Sequence, residues 1–275
     1  MSHHLRWAAA ATILTVGLGV GAAQYLHLFG GSDSTQLSAG EAKRRFDAST
    51  SSANPTNSVS SAAVSQSTNA SPVTTSVFPA PGVYVYATTG RDSVDVMNGA
   101  HHVYPPTTTI TVQSTACGTQ QRWDILEQRW ELWQRCPNPL GVSETGRTNY
   151  DQFFGQSQTD TWTCGGAPRP LSAATGATWS TSCTSGSATN TIEGVVVGIE
   201  SQVVGSSNVD AVHVRVSITN DSPSDSQIID TWYLAGTDLV VAQTSIVATS
   251  NASQVGTVHY AETYEIHLTS LTPLS

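Results

Sequence analysis

The sequence predicts an all-β fold with minor helix, in which about ten or more strands form an antiparallel, strongly curved sheet or half-barrel. Two observations support this prediction. Apolar and polar residues alternate in many short stretches, and turn signals such as Asn98-Gly99 and Gly165-Gly166 separate the stretches at short intervals. Regular alternation with short loops indicates an antiparallel sheet with one wet face, because βαβ units would need helices between the strands.

The individual strands are predicted from this alternation of side chains. The clearest one is Val212–Thr219, in which four β-branched residues alternate with polar ones. A short helix is expected around Tyr150–Phe154. The predicted strands are Val83–Thr88, Ser93–Met97, Thr107–Val112, Thr161–Cys164, Thr178–Cys183, Thr191–Gly198, Val212–Thr219, Ile228–Leu234, Leu239–Ala248 and Val258–Thr269.

The segment Gln120–Arg135 supports two interpretations, because its apolar residues fall at helical spacing while cysteines flank it. A straight helix would hold Cys117 and Cys136 about 28 Å apart, too far for a disulfide. We therefore predict a hairpin folded about Leu126 and Glu127, which places the two cysteines opposite each other. The same register would set Arg122 opposite Glu131 and Trp123 opposite Trp130.

The four cysteines of the chain predict two disulfides, Cys117–Cys136 and Cys164–Cys183. Each bridge would tie neighbouring strands, and closing a loop of about twenty residues contributes roughly 3 kcal/mol in the chain-entropy account. A zinc site is the competing interpretation. Zinc ligands usually stand two to four residues apart, whereas the gaps here are nineteen, twenty-eight and nineteen. Disulfides place the domain in an oxidising compartment outside the membrane.

Residues 1–30 are predicted to be a transmembrane anchor or a signal sequence. Trp7–Phe29 holds no charged residue, and as a helix it would span about 34 Å, enough to cross a bilayer core. Cleavage near Ala22 or Ala23 would give a secreted product, whereas the apolar residues that continue to Phe29 favour an uncleaved anchor in the cell membrane. Lys43–Arg45 would prefer the cytoplasm by the positive-inside rule, but the predicted disulfides outweigh this preference and place the C-terminal domain outside.

Two further regions follow the apolar segment. Residues 31–80 are predicted to be a Ser/Thr-rich disordered linker, since fifteen of the 32 residues in Ala48–Pro79 are Ser or Thr and none is charged. A flexible coil of this length would hold a domain roughly 30 Å from its anchor. Residues 81–275 form the predicted β-domain with the two disulfides.

The charge of this folded region excludes nucleic-acid binding. From Pro81 onward, seven Arg and no Lys stand against seventeen Asp and Glu, a net charge of −10. An acidic domain without a basic stripe is a poor partner for a phosphate backbone. Its histidines lack chelating spacing, because His101 and His102 point to opposite faces of a strand. No catalytic, cofactor or metal motif is found, which predicts a protein that is not an enzyme and binds no cofactor or metal.

Glu262 departs from the alternation, because it falls on the apolar face of the last strand between Tyr260 and Tyr264. A carboxylate at such a position needs a partner or a cavity. It lies either near the rim of the sheet or in an aromatic pocket, where it would contact a polar head group. Trp232, Tyr260, Glu262 and Tyr264 are accordingly the predicted ligand-binding residues, and the predicted ligand is apolar or lipidic.

Several short stretches have the residue patterns of strands and turns: Gly82–Tyr86, Thr88–Gly90, Asp92–Asp95, Gly99–Pro105, Asp230–Leu234 and Val258–Tyr264. Together these stretches resemble an uncharacterised family of extracytoplasmic β-domains from high-GC Gram-positive bacteria. In outline that family looks like the half-barrel sheets of periplasmic lipoprotein carriers, so the resemblance implies a curved sheet. It carries no catalytic signature and transfers no binding residue to this chain.

The sequence leaves three classes of function open. A non-catalytic, membrane-anchored carrier or sensor of an apolar ligand comes first, because the sheet is aromatic and catalytic motifs are missing. A structural or protein-interaction module of the cell envelope comes second, and a hydrolase third. The interior of the sheet separates the three: an enclosed apolar cavity favours the carrier, a packed core favours the module, and a polar cleft with converging carboxylates and histidine favours the hydrolase.

Overall fold

The described part of the chain consists of one helix and thirteen strands. A computed structural model describes residues 34–52, 76–171, 174–220, 225–253 and 256–274. Helix α1 spans Ala39–Ser52 and precedes all of the strands. The strands are β1 (Gly82–Val94), β2 (Ala100–Val103), β3 (Thr107–Ser114), β4 (Thr119–Leu126), β5 (Arg129–Asn138), β6 (Gly141–Phe153), β7 (Gln156–Gly166), β8 (Thr178–Ser185), β9 (Ala188–Val204), β10 (Ser207–Thr219), β11 (Ser226–Leu234), β12 (Val240–Ser253) and β13 (Gly256–Leu268).

Pairing between the first and last strands closes the sheet. Strands β3 to β13 pair antiparallel in chain order, β1 pairs with β3, and β13 pairs with β1 through nine residue pairs from Tyr86↔Leu268 to Val94↔Tyr260. Twelve strands thus form a closed barrel, beside which β2 pairs with Arg91–Val94. The predicted antiparallel all-β fold is confirmed. The predicted half-barrel is corrected to a closed barrel, in which the edge N–H and C=O groups of β1 and β13 satisfy each other.

The strands run up and down, so that their turns gather at two ends of the barrel. We call the end with the β4–β5, β6–β7 and β8–β9 turns the upper end; Glu127-Gln128 and Phe154-Gly155 are two of these turns. The opposite, lower end holds the β5–β6, β9–β10 and β11–β12 turns. Along each strand, alternate side chains point into the barrel and out of it.

Most of the predicted strands are observed, and several extend further than predicted. Ser93–Met97 is not a separate strand, because its first two residues continue β1 to Val94. Tyr150–Phe154 is not a helix: it forms the end of β6 and the following turn. Tyr150 pairs with Trp130 on one side and Thr159 on the other, so the two ladders override the local preference of this segment.

Strands β4 and β5 form the predicted hairpin, but their register differs by one residue from the prediction. Trp123 lies opposite Glu131, and Asp124 lies opposite Trp130. A shift of one residue reverses the face on which a side chain lies. Trp123 and Glu131 therefore point into the barrel, whereas Trp130 lies on the outer wall and stacks on Tyr150, with 5.4 Å between the ring centroids.

Helix α1 packs against the outer wall of the barrel. Leu37 and Ala42, which are 5% and 2% exposed, form an apolar cluster with the fully buried Val83 of β1, and Phe46 packs against it. Residues 34–52 were predicted to belong to the disordered linker 31–80, and the structure corrects this prediction. The stretch is ordered because its apolar side chains are buried against the barrel wall. Residues 53–75, the centre of that predicted linker, lie outside the described residues.

Within the described part of the chain, no helix is both long and apolar enough to cross a bilayer. The predicted anchor Trp7–Phe29 lies outside the described residues. The anchor and its alternative, a cleaved signal sequence, therefore stay predictions.

Large side chains from β1, β3 to β5 and β8 to β13 pack together in the barrel interior. Trp123 is fully buried, and Tyr86, Ile125 and Ile266 are each 1% exposed or less. The indole nitrogen of Trp123 donates to Oγ1 of Thr108 at 2.9 Å, so the polar atom of this largest core side chain is satisfied. These residues belong to one continuous cluster that reaches from β1 around to β13. Burying each such aliphatic or aromatic side chain stabilises the fold by roughly 1.5–3 kcal/mol.

Both predicted disulfides are present. Cys164 and Cys183 lie directly opposite each other on β7 and β8, with their Cα atoms 4.0 Å apart. Cys117, in the β3–β4 turn, is bonded to Cys136 of β5, with 5.2 Å between the Cα atoms. The predicted pairing is confirmed, and two disulfides indicate an extracellular or otherwise oxidising environment.

Candidate functional site

A group of charged side chains occupies the upper half of the barrel interior. We call it the upper acidic cluster. Its members are buried, apart from the half-buried Asp151, and form ion pairs centred on Arg129 or the pair of Asp92 with His102: Asp92, His102, Arg129, Glu131, Asp151 and Glu262. They come from strands β1, β2, β5, β6 and β13, which are brought together only by closure of the barrel. Four carboxylates and one guanidinium give the cluster a formal charge of −3 when His102 is neutral.

Arg129 is the centre of the cluster and contacts three of its carboxylates. Its Nη2 donates to Glu131 Oε1 in a short hydrogen bond and to Glu262 Oε1 at 3.3 Å. Its Nε lies 3.1 Å from Asp151 Oδ1. Burial by itself would lower the pKa of Arg129, but the three carboxylates raise that pKa well above its usual value. The guanidinium is therefore a permanent cation inside the barrel.

Glu262 is 3% exposed and accepts a short hydrogen bond from the hydroxyl of Tyr104. Burial raises the pKa of Glu262 to about 7, while Arg129 opposes the shift and the neighbouring Glu131 adds to it. Burial also raises the pKa of Tyr104 well above its usual value, and the Glu262 carboxylate acts in the same direction. The carboxyl group of Glu262 consequently exchanges its proton near neutral pH.

Asp92 and His102 form the second buried pair of the cluster. Asp92 Oδ1 accepts from the backbone N–H of His102 at 3.1 Å and lies 2.7 Å from its Nδ1. The imidazole ring packs 4.6 Å from the ring of Phe153, measured between centroids. Because β2 holds only four residues, this contact ties the side strand to the barrel wall.

Tyr260 places its hydroxyl at the same cluster. The hydroxyl is buried and has no hydrogen-bond partner within the described part of the chain. Burial raises the pKa of Tyr260 well above its usual value, and the charge of Glu262 adds to the shift. An unpaired buried hydroxyl costs roughly 1–3 kcal/mol, so this atom is a position at which a water or another polar group would be stabilised.

Tyr264 lies one layer below the acidic cluster. Its ring contacts Trp123 edge-on with 4.5 Å between centroids, and its hydroxyl donates to Oε1 of Gln243 at 3.1 Å. Gln243 in turn donates from Nε2 to Oγ1 of Thr231 at 2.9 Å. Burial raises the pKa of Tyr264 well above its usual value. Side chains of the barrel itself therefore surround the ring of Tyr264 and accept the hydrogen bond from its hydroxyl.

A second charged group, the lower arginine cluster, has the opposite composition. Asp238, which is fully buried, accepts hydrogen bonds from Arg135, Arg169 and Gln121. The guanidinium carbon of Arg169 lies 3.6 Å from the ring centroid of Tyr233. Two guanidinium groups here share one carboxylate, so positive charge dominates this group, whereas negative charge dominates the upper acidic cluster.

Trp232 lies on the outer wall, apart from the other three predicted ligand-binding residues. Its ring stacks on His213 with 4.3 Å between centroids, and its Nε1 donates to Glu200 at 2.7 Å. The neighbouring residue in β11, Thr231, points inwards to Gln243. Alternation along β11 therefore separates Trp232 from the interior.

His213 holds three strands together beneath Trp232. Its two ring nitrogens lie 2.8 Å from Glu200 and 2.7 Å from Asp230. Carboxylate oxygens only accept, so both contacts are hydrogen bonds when the ring carries two protons. The hydrogen bond from Trp232 lowers the pKa of Glu200. For Asp230, burial alone would raise the pKa, but hydrogen bonds from Arg215 and His213 lower it.

The structure thus brings together Tyr260, Glu262 and Tyr264 and leaves Trp232 outside. The sequence analysis did not identify the partners of Glu262, namely Arg129, Glu131, Asp151 and Tyr104. One signal was present: on β5 the alternation that buries Trp133 also buries Arg129, Glu131 and Arg135. Three charged residues on the same strand face as a buried tryptophan indicate a network of ion pairs inside the barrel.

Two open depressions lie on the outer surface. One of about 240 Å³ separates α1 from the outer faces of β3 and β4. The other, of about 700 Å³, extends over the outer faces of β8 to β10 beside Arg215. Neither is lined by Tyr260, Glu262 or Tyr264.

Among the described residues, one group has metal-like spacing: Glu144 with Cys164 and Cys183. The two sulfurs are joined to each other in a disulfide and therefore do not offer the thiolates that a metal would bind.

Comparisons with known proteins were made at three levels. No family model, no curated protein and no solved structure matches the chain. No catalytic family is therefore indicated. The resemblance to extracytoplasmic β-domains of high-GC Gram-positive bacteria stays a hypothesis based on the sequence stretches that carry it.

Proposed function

We propose that the chain is a non-catalytic structural or protein-interaction module of the cell envelope, held at the outer side of a membrane by the segment Trp7–Phe29. The observation that supports this proposal most is the filled interior. Trp123, Tyr264 and their neighbours occupy the space in which a carrier would enclose its ligand. Of the three classes considered, a packed core favours the module.

The arrangement of the charged side chains also favours a module over a hydrolase. Asp92, His102 and Glu262 converge as the residues of a hydrolytic site do, but they are 0%, 4% and 3% exposed. Their hydrogen bonds are made to one another, to Arg129 and to Tyr104. A substrate needs an open cleft next to such groups, and these three side chains have almost no solvent-accessible surface.

The outer wall offers a surface for protein contact. Ile228 and Ile246 lie directly opposite each other on β11 and β12 and are 44% and 64% exposed. Their row continues across Thr263 of β13 to Arg91 of β1 and Val103 of β2, the latter 62% exposed. Exposed aliphatic side chains on a regular sheet surface suit contact with another protein of the envelope.

Photo-crosslinking in intact cells tests this contact. A photoreactive amino acid at Ile246 is expected to give one discrete crosslinked species. The matched control is Thr159, an exposed outer position on β7 opposite Tyr150, where no such species is expected. A smear of products from Ile246, or the same products from both positions, contradicts a defined protein partner at this surface.

A carrier of an apolar ligand with a polar head group is the second candidate function. One observation favours it: the buried hydroxyl of Tyr260 has no partner within the described residues and lies beside the cluster of Glu262. A ligand head group at this position would satisfy the hydroxyl. Tyr260, Glu262 and Tyr264 would then contact the ligand, whereas Trp232 would not.

Native mass spectrometry of the protein, extracted gently from its membranes, separates the two candidates. For the module we expect the mass of the polypeptide with two disulfides and no bound small molecule. A lipid that co-purifies with the wild type and is lost from Tyr264→Ala would overturn the module and favour the carrier. Trp232→Ala is the control, because its outer position predicts unchanged retention of an interior ligand.

A further inference from the structure

We infer that the barrel rests directly on the lipid surface with its upper end towards the membrane. The Ser/Thr-rich stretch expected to act as a spacer does not separate the two. This inference rests on the proposed membrane anchor and adds to it an orientation and a contact surface. It follows from where the chain N-terminal to the barrel is held, and from how little chain remains between that point and Trp7–Phe29.

The chain is fixed to the upper end of the barrel at Thr35 and Gln36. The carbonyl oxygen of Thr35 accepts from the backbone N–H of Glu127 at 3.0 Å. The N–H of Thr35 donates to the side-chain oxygen of Gln128 at 3.1 Å, which gives the β4–β5 turn two contacts with one residue. The side-chain amide of Gln36 reaches the carbonyl and hydroxyl oxygens of Thr107 at 3.4 and 3.3 Å.

From this point, α1 descends along the wall towards the lower end. Leu37 and Ala42 are buried against Val83, and further along the helix Ser49 Oγ accepts from Gln113 Nε2 at 2.6 Å. Gln113 stands near the lower end of β3. The chain returns to the described region at the same end, where the carbonyl of Val77 accepts from the N–H of Asp238 at 2.8 Å.

These contacts fix the role of the two connecting stretches. Between Phe29 and Thr35 only five residues intervene, and fully extended they reach at most about 20 Å. The Ser/Thr-rich residues 53–75 come after α1, and both of their described flanks are held at the lower end. Extra length in residues 53–75 would not move the barrel away from the anchor, whereas extra length in residues 30–34 would.

The surface that would meet the lipid is the set of turns at the upper end. The β1–β2 turn places Met97 there with 57% of the residue exposed. The acidic side chains Asp95 and Glu127 lie at the same end. The contact therefore suits a neutral, zwitterionic lipid surface better than an anionic one, because like charges repel across a short distance.

Energy transfer to a lipid-bound acceptor tests the orientation. The full chain is reconstituted in phosphatidylcholine nanodiscs, with an encoded fluorescent amino acid at Gln156 or at Leu140. The 13 residues of β6 separate the two positions, about 30 Å along the barrel axis after strand tilt. Both positions are exposed, so the label leaves the core intact. We expect transfer from Gln156 to be at least twofold more efficient than from Leu140.

Two insertions of thirty Gly and Ser residues provide matched controls. Inserted between Gly31 and Ser32, the spacer is expected to lower transfer from Gln156 to the level of Leu140. Inserted between Ala62 and Ala63, it is expected to change neither position. Equal transfer from both labels, or a loss caused by the second insertion, overturns the orientation alone. A chain that does not enter the nanodisc overturns the proposed anchor and the orientation together.

Discussion

Four carboxylates share one arginine inside the upper half of the barrel, and this imbalance determines how single residues respond to pH. Attraction between Arg129 and its partners offsets the loss of hydration for three of the carboxylates. The remaining negative charge favours proton binding by Glu262, whose pKa burial raises to about 7. Glu262 is therefore a carboxyl group whose pKa lies in the physiological range.

Replacing Glu262 by Gln is expected to flatten part of the pH dependence of stability. The pKa of Glu262 rises from 4.5 to about 7 on folding, so between these values the folded state holds a proton that the unfolded state releases. Stability consequently falls as pH rises through this window, by up to roughly 3 kcal/mol for this group. Urea unfolding of wild type and Glu262→Gln at pH 5 and pH 8 measures the difference. Glu265→Gln, on the outer face of the same strand, is the control; an equal pH slope in wild type and Glu262→Gln would contradict the assignment.

Removing the central cation is expected to be far more damaging than removing a surface one. Arg129→Leu leaves the carboxylates of Glu131, Asp151 and Glu262 buried without their cation, which should destabilise the fold by roughly 3–5 kcal/mol. Lys43→Leu breaks the exposed ion pair with Asp47 on α1, where about 0–1 kcal/mol is expected. Chemical unfolding compares the two. Similar losses for both variants would show that Arg129 does not neutralise the cluster.

At the scale of secondary structure elements, α1 is the least expected part of the molecule. Its sequence continues into the Ser/Thr-rich stretch. Its apolar face is short, since only Ala42 and Phe46, together with Leu37 just before the helix, pack against the barrel. An isolated 14-residue helix of this composition would be marginal in water, so the contact with Val83 must supply most of its stability. Loss of this contact should release the helix while leaving the barrel folded.

Trypsin digestion tests the docking of α1, because Lys43, Arg44 and Arg45 are cleavage sites inside the helix. Ala42→Glu places a charge in the 2% exposed contact and is expected to accelerate cleavage at these residues at least tenfold. The unfolding midpoint of the barrel should change little. Ala48→Glu, at an exposed position of the same helix, should behave as wild type. Equal cleavage of the two variants would contradict the docked helix.

At the scale of the whole molecule, closure of the sheet is the main structural fact. The β1–β13 ladder joins residues that are about 170 positions apart in the chain, so it forms only when the entire sheet has assembled. The closed barrel leaves no long unpaired edge among its twelve strands. The same closure gathers β1, β5, β6 and β13 around the upper acidic cluster.

Hydrogen exchange distinguishes the closed barrel from an open one. In the closed barrel, amides of Tyr86–Val94 and Tyr260–Leu268 are expected to exchange slowly, because the β1–β13 ladder pairs these two stretches with each other and β12 covers the other side of β13 as far as His267. The four-residue strand β2 is the internal reference, since it pairs only with β1 and should exchange faster. Mass spectrometry of exchanged peptides measures this. Fast exchange in both seam strands would show that the sheet is open.

The sequence by itself determined the class of the fold, most strand positions and the disulfide pairing. Alternation along Val212–Thr219 and Val258–Leu268 is a local property of a strand. A disulfide between Cys117 and Cys136 requires the segment between them to form a hairpin, because a straight helix would hold the two cysteines too far apart. The buried position of Glu262 between two tyrosines was also visible, because period two extends over the whole of β13. These features depend on neighbours in the chain.

Tertiary structure alone decided closure, register and the partners of Glu262. A one-residue difference in the β4–β5 register exchanged Trp130 for Glu131 as the residue that faces the interior with Trp123, and no local pattern fixes such a register. Arg129 reaches Glu262 across 133 positions of the chain. The docking of α1 depends likewise on Val83, which stands beyond the Ser/Thr-rich stretch. Contacts between distant segments depend on the packing of the complete barrel. A local sequence pattern can show that one residue needs a partner, but it does not identify the distant residue that becomes this partner.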